Sequence, residues 1–283
     1  MKIKITADST CDLSAELVAQ NNISILPLSV TKGGESFLDG VTIQPADIFA
    51  HVAAGGGLCS TSAVPIGTYE ECFREHLKSY DAVVHVSLGS GFSSSYQNAC
   101  IAAEDLPQVR VIDSCNLSTG QGHVVMEACK LAKTATDLDE LAAALTELTH
   151  RVDTSFLLDR LDYMAKGGRC SSVVALGANL LKLKPCIEVV DNKMIVGKKY
   201  RGNYAKCMER YVRDRLEGAD DILLERIFIT HTPVGEEIVP IVERTVRECK
   251  EFTHIYETYA GCTVSCHCGE GCLGILYIHE KQK

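Results

Sequence analysis

The stretch CTVSCHCGEGC gathers Cys262, Cys266, Cys268 and Cys272 around His267 within eleven residues. Thiolates and an imidazole can hold zinc or run redox chemistry. Structural zinc, however, usually draws on two separated pairs such as C-x2-C, so that four ligands surround the ion. The spacing here is C-x3-C-x-C-x3-C, with no second knuckle. In an extended segment Cys266 and Cys268 would point one way and His267 the other. Gly269-Glu270-Gly271 suits a loop instead, because glycine accepts positive φ and lets a backbone come close. A metal-free glycine loop is therefore expected, with a zinc- or redox-responsive centre as the alternative. The other cysteines fall singly, often among Ala, Leu and Val, where a free thiol acts as a small hydrophobe.

A second kind of chemistry is carried by short hydroxyl residues that follow apolar runs: Asp8-Ser9-Thr10, Gly89-Ser90-Gly91-Phe92-Ser93, Asp113-Ser114 and His231-Thr232. In open α/β sheets, ligands bind beyond the carboxyl ends of the strands. Hydroxyls and helix-start amides gathered there suit an anionic group, a phosphate or a carboxylate. Each of these residues could equally do no more than cap its helix. Gly89 to Ser93 lacks the third glycine of a dinucleotide loop and the lysine of a P-loop. Ser93, His267 and Asp113 could form a hydrolase or transferase triad, but the G-x-S-x-G turn that exposes such a serine is missing.

The frame behind these residues alternates strand and helix. Lys2 to Ala7 has period two, and Ser14 is placed to cap a helix over 15–20. The pattern continues with a strand at 23–30, a polar connection, a helix from Pro45 to about 54, a helix at 67–79, a strand at 82–88, a helix opening near Ser93 and a strand at 109–112. Helices are expected at 119–133 and 138–150, the second opened by Asp137 with Glu140 as a capping box. Further on come a strand at 155–158, a hairpin through Asp191-Asn192, a helix at 205–216, a strand at 226–230, a helix at 235–249, and strands at 253–257 and 273–278. Such alternation predicts an α/β protein with mainly parallel sheets covered by helices.

With 283 residues, 46% hydrophobic and 23% charged, two domains are expected, 1–155 and 156–283. A net charge of -9 disfavours nucleic acid as a partner. MKIKITADST runs straight into alternation without a signal-peptide pattern, and no apolar run reaches membrane-spanning length. The chain is expected in a reducing cytoplasm, its fourteen cysteines as thiols.

Taken in order, the segments resemble the DegV-like family of bacterial fatty-acid-binding proteins, over nearly the whole chain. The resemblance rests on Asp8-Ser9-Thr10-Cys11-Asp12-Leu13, Pro27-Leu28-Ser29-Val30, Asp39-Gly40, Thr61-Ser62, the run from Phe92 to Ala99, and Asp113-Ser114 with Ser118 to Gly122. It continues through Leu161 to Arg169, Leu183-Lys184-Pro185, Arg201, and His267 to Ile275.

The resemblance implies two α/β domains with a fatty acid in an apolar tunnel between them. It implies that Thr61, Ser93 and His267 bind the carboxylate, with Ser62, Ser94, Ser114 and Gly269 as further head-group neighbours. It implies a non-catalytic carrier without a cofactor. The carrier would present its long-chain fatty acid to the ATP-binding subunit of a fatty acid kinase, which makes acyl-phosphate for phospholipid synthesis. Arg169 and Arg201 would contact the kinase or the nascent phosphate, and a transient contact with a membrane surface is open to the carrier. Three departures stand out: Ser94 replaces a glycine, Pro65 sits one residue late after Thr61-Ser62, and Glu270 replaces a proline. Glu270 would set a negative charge near a carboxylate head group.

Overall fold

The structure, a computed structural model, describes residues 1–174 and 183–281. The chain opens with β1 (Ile3–Asp8), a single 3-10 turn (Ser9–Cys11), α1 (Ala15–Gln20) and β2 (Ser24–Leu26). The Ser14 side chain accepts a hydrogen bond from Leu17 N, which fixes the start of α1. The expected strand 23–30 is split in two, because Pro27 has no N–H to continue a ladder. Its second piece, β3 (Ser29–Lys32), pairs antiparallel with β4 (Glu35–Leu38), where only a polar connection was expected. After α2 (Pro45–Ala53), opened by its first-turn proline, β5 (Ser60–Ser62) joins the other edge of β3.

The next elements are α3 (Ile66–Leu77), β6 (Ala82–Ser87), α4 (Ser95–Ala103), β7 (Val109–Asp113), α5 (Ser118–Ala132) and α6 (Leu138–Thr149). Asp137 accepts from the N–H groups of Asp139 and Glu140 and so opens α6 as expected. A parallel sheet runs in the order β2-β1-β6-β7. Its central strand β6 is buried along its whole length, as a strand covered on both faces must be. Parallel register brings the ends of β1, β6 and β7 to one edge, so that Asp8, Leu88 and Asp113 lie together there.

The second sheet begins with β8 (Val152–Leu158), so the expected division after residue 155 falls inside a strand. It is followed by α7 (Asp162–Gly167), α8 (Ser171–Val174), β9 (Leu183–Val190), β10 (Lys193–Arg201), α9 (Tyr204–Leu216), β11 (Arg226–His231), α10 (Ile238–Cys249), β12 (His254–Tyr259), α11 (Cys262–Cys268) and β13 (Cys272–Ile278). The order is β10-β9-β8-β13-β11-β12. The α/β class holds, and the first sheet is parallel as expected. In the second sheet only β11 and β12 pair in parallel. Two tight turns lie among these reversals. Asp191 and Asn192, both at positive φ, close the β9–β10 hairpin, and Gly269 to Gly271 return the chain from α11 into β13.

The apolar cores cross the expected boundary. One cluster joins Leu28, Leu88 and Leu117 to Phe156, Met164 and Met194. Helix α5 packs against strands of both sheets. Among the described residues no helix is long and apolar enough to cross a membrane.

Candidate functional site

Between the strand ends of the first sheet and α7, β10 and α11 lies a cavity of about 280 Å³. Its apolar wall includes Leu28, Leu88, Phe92, Leu117, Met164 and Met194, none more than 9% exposed. Its polar end carries Thr61, Ser62, Ser93, Ser94, Arg169 and His267. A second chamber of about 20 Å³ adjoins it across Leu117, Val264 and Cys268. The main space approaches the lower end of the range typical for small-molecule sites, roughly 300–1,000 Å³.

The polar residues come from four places. Thr61 and Ser62 sit on β5, held by the pairing of Thr61 with Val30 and of Ser62 with Ser29. Ser93 and Ser94 precede α4. Ser93 Oγ accepts from Ser95 N at 3.2 Å and lies 3.0 Å from Ser95 Oγ, a contact in which either hydroxyl can donate. Arg169 follows Gly168, whose φ of 70° ends α7, and it donates to Gly167 O at 2.8 Å.

His267 comes from the last turn of α11, not from the glycine loop expected for it. The segment 262–268 is helical, and Gly269 ends the helix with its N–H on Ser265 O and a φ of 72°. The Nε2 atom of His267 is 2.9 Å from Thr61 Oγ1. Its Nδ1 atom is buried without a partner. Burial and the nearby Arg169 guanidinium push the imidazole down to about 4, so it is neutral at pH 7.

Two more hydroxyls reach the cavity wall but are already committed. Thr10 donates to Gln121 Oε1 at 2.8 Å, and Thr263 donates to Asp39 Oδ2 at 2.7 Å. Sequence reasoning did not single out Thr263, Val264 or Met194 as wall residues. The α-helical period through 262–268 was the signal for the first two, masked by the cysteines and glycines around them. Met194 could be placed only once the hairpin register was known.

Three expected head-group or partner residues lie elsewhere. Ser114 is fully buried, and its hydroxyl donates to Asn116 O inside its own turn. Gly269 leaves no room for a side chain, because a β-carbon there would lie 2.5 Å from the Tyr163 ring. Arg201 ends β10 in an exposed position and does not line the cavity. The Ser93-His267-Asp113 triad is not assembled. Asp113 accepts from Ser90 N, Ser90 Oγ, Cys115 N and Asn192 Nδ2, and His267 turns to Thr61. Glu270 is exposed in the turn before β13 and outside the cavity lining, so its charge is not set against a ligand there.

The helix also divides the four thiols. Cys262 and Cys266 pack with Val30, Ile43, Ile48 and Cys59, while Cys268 and Cys272 enter the core around the cavity. Burial pushes Cys262 up to about 12, so it is a thiol rather than a thiolate at neutral pH. Among the described residues no group of three or more His, Cys, Asp or Glu is placed to hold a metal ion.

A family model described as "Uncharacterised protein, DegV family" matches residues 2–280. A DegV domain-containing protein of Clostridium acetobutylicum is 31% identical over 281 residues, 99% of each chain. A Thermus thermophilus DegV family protein described by its fatty acid binding superposes with a TM-score of 0.89 at 25% identity, over 99% of this chain and 100% of that one. The structure of DegV from Bacillus subtilis, described as a fatty acid binding protein, superposes with a TM-score of 0.82 at 27% identity, over 99% and 100% of the two chains.

Proposed function

Because the chain belongs to the DegV family, we propose that it is a carrier that buries one long-chain fatty acid in this cavity, with the carboxylate at the Thr61, Ser93 and His267 end. The observation that carries this reading is the division of the cavity into an apolar wall and a hydroxyl-imidazole end. Each buried methylene is worth about 0.8 kcal/mol, so an acyl chain supplies most of the affinity. A buried carboxylate is costly unless hydrogen bonds replace its water. The Thr61 and Ser93 hydroxyls and the Arg169 guanidinium supply those bonds at one end only, with the neutral imidazole of His267 holding Thr61 in place.

The tail then follows the apolar wall towards Leu117 and Val264. Arg169 is exposed while also lining the cavity, so it can meet a partner and the head group at once. In this reading a separate ATP-dependent fatty acid kinase receives the presented carboxylate and makes the acyl-phosphate for phospholipid synthesis. Arg169 and the exposed Arg201 contact that kinase, and the carrier works in the cytoplasm with brief visits to a membrane surface.

Organic extraction of the purified protein followed by mass spectrometry tests the reading. About one fatty acid per chain is expected, and delipidated protein should rebind oleate at the same ratio. A preparation that neither carries nor rebinds any acyl chain overturns it. A carrier that binds oleate but is not a substrate for any fatty acid kinase would remove only the second half.

A further inference from the structure

Helix α11, which carries His267, has only seven residues, too few to be stable by itself. Its first N–H groups have no partner within the helix. Its N-cap is Gly261, which has no side chain to cap them. Two carboxylates from the first half of the chain take that place. Asp12 Oδ1 accepts from Gly261 N at 2.9 Å. Asp39 Oδ1 accepts from Cys262 N at 2.8 Å, and Asp39 Oδ2 accepts from Thr263 N at 3.1 Å and Thr263 Oγ1 at 2.7 Å. Three consecutive backbone donors are thus satisfied across a separation of more than two hundred residues.

Both carboxylates are themselves aimed. Ser9 Oγ donates to Asp39 Oδ2 at 3.0 Å, and Ser118 Oγ donates to Asp12 Oδ2 at 2.6 Å. The two side chains are 3% and 6% exposed. A β-carbon on Gly261 would lie 2.8 Å from Asp12 Oδ1, so the missing side chain is what lets Asp12 approach. A carboxylate at a helix N-terminus also meets the positive end of the helix dipole. Thr61, the partner of His267 Nε2, lies on β5, and β5 pairs with β3 in the first half as well.

We propose that Asp39, supported by Asp12, is a positioning residue for the fatty-acid head group: it fixes the start of α11 so that His267, at the other end of the helix, stays against Thr61. This rests on the carrier reading for its ligand. The geometry itself does not depend on it.

Oleate binding is measured by calorimetry for the wild type, Asp39→Asn, His267→Ala and the double variant. Asparagine keeps the size but cannot accept from both backbone donors with a carboxylate's two oxygens. Asp39→Asn is expected to weaken binding about tenfold, and the double variant to bind no worse than His267→Ala alone. Strictly additive losses overturn the proposal, since residues acting through one another do not add.

The ligand-free imidazole resonance of His267 is followed by NMR in the same variants. Its titration midpoint is expected near 4 in the wild type and closer to 6.5 in Asp39→Asn, as the helix slackens and water reaches the ring. An unchanged midpoint overturns the proposal. Ser9→Ala removes one bond that aims Asp39 and should shift the midpoint the same way, which keeps the test decisive if Asp39→Asn does not fold. A wild type that binds no oleate refutes the carrier reading alone, because the imidazole titration still decides the positioning role.

Discussion

His267 Nε2 stands 2.9 Å from Thr61 Oγ1, although 206 residues separate them in the chain. The contact ties α11 to β5 and determines what each group can offer a ligand. If Nε2 carries the proton and donates to Thr61, the threonine hydroxyl is free to donate onward to a carboxylate. Ser93 is set up in the same sense when Ser95 Oγ is the donor of their 3.0 Å contact, since Ser93 Oγ also accepts from Ser95 N. Two hydroxyl protons then converge on one end of the cavity.

Removing them should cost affinity rather than stability. Hydrogen bonds to charged groups are worth about 1.5–3 kcal/mol, so Thr61→Ala and Ser93→Ala are each expected to weaken oleate binding roughly ten- to a hundredfold. Both positions are part-exposed, and thermal unfolding should move little. Titration of delipidated protein with oleate checks this. A double variant that binds like the wild type would remove the carboxylate assignment.

The imidazole should titrate far below the ordinary histidine range, near 4, because burial and Arg169 both oppose its charge. The unfolded state therefore binds the extra proton more readily between about 4 and about 6.5. The neutral ring's contribution to stability is complete above that window and is lost as pH falls through it. A bound carboxylate favours the charged ring, so adding oleate should raise the midpoint. Histidine NMR across pH 3–8, with and without oleate, reads both shifts. A free-protein midpoint near 6.5 would contradict the burial.

Gly167 gives a steric test of the same ring. A β-carbon there would lie 2.6 Å from His267 Nδ1, and the position has no positive φ to strain. Helix propensity alone would favour alanine at the end of α7. Gly167→Ala is therefore expected to leave the unfolding temperature nearly unchanged, while turning the imidazole off Thr61 and weakening oleate binding about tenfold. Wild-type affinity in this variant would mean that His267 does not contact the head group.

Much of this was legible before the structure. Strand-end hydroxyls marked Ser93, and the resemblance carried Thr61, Arg169 and His267 to what proved to be one cavity. The mixed second sheet was not legible, since β-α alternation cannot reveal that β13 re-enters antiparallel between β8 and β11. The helix at 262–268 was hidden by its composition. Cysteine, serine and threonine are poor helix formers, and the caps that stabilise it come from Asp12 and Asp39 far away in sequence. The same distance hid the role of Asp39, which in sequence stands out only as part of the Asp39-Gly40 segment of the family resemblance. Ser114 misled for the opposite reason: its hydroxyl is spent two residues away, on Asn116 O.

The paired carboxylates carry a pH signature. Burial, with Asp39 beside it, pushes Asp12 up to about 8 against the donors Ser118 and Gly261. The native state thus holds a proton that the unfolded chain releases near 3.8. Stability from this group is fully present below that lower value and falls as pH rises towards about 8. The other titratable groups facing Asp12 are the thiols of Cys11, Cys262 and Cys272. Burial pushes Cys11 and Cys262 up to about 12, and the hydrogen bond with Cys268 together with burial raises Cys272 well above its ordinary value, so none of them ionises in this window. Thermal unfolding of the wild type should decline between pH 5 and pH 8, and Asp12→Asn, which holds no proton to lose, should flatten the curve. The difference between the two curves isolates Asp12 from every other titrating group. Parallel curves would mean that Asp12 is ionised throughout.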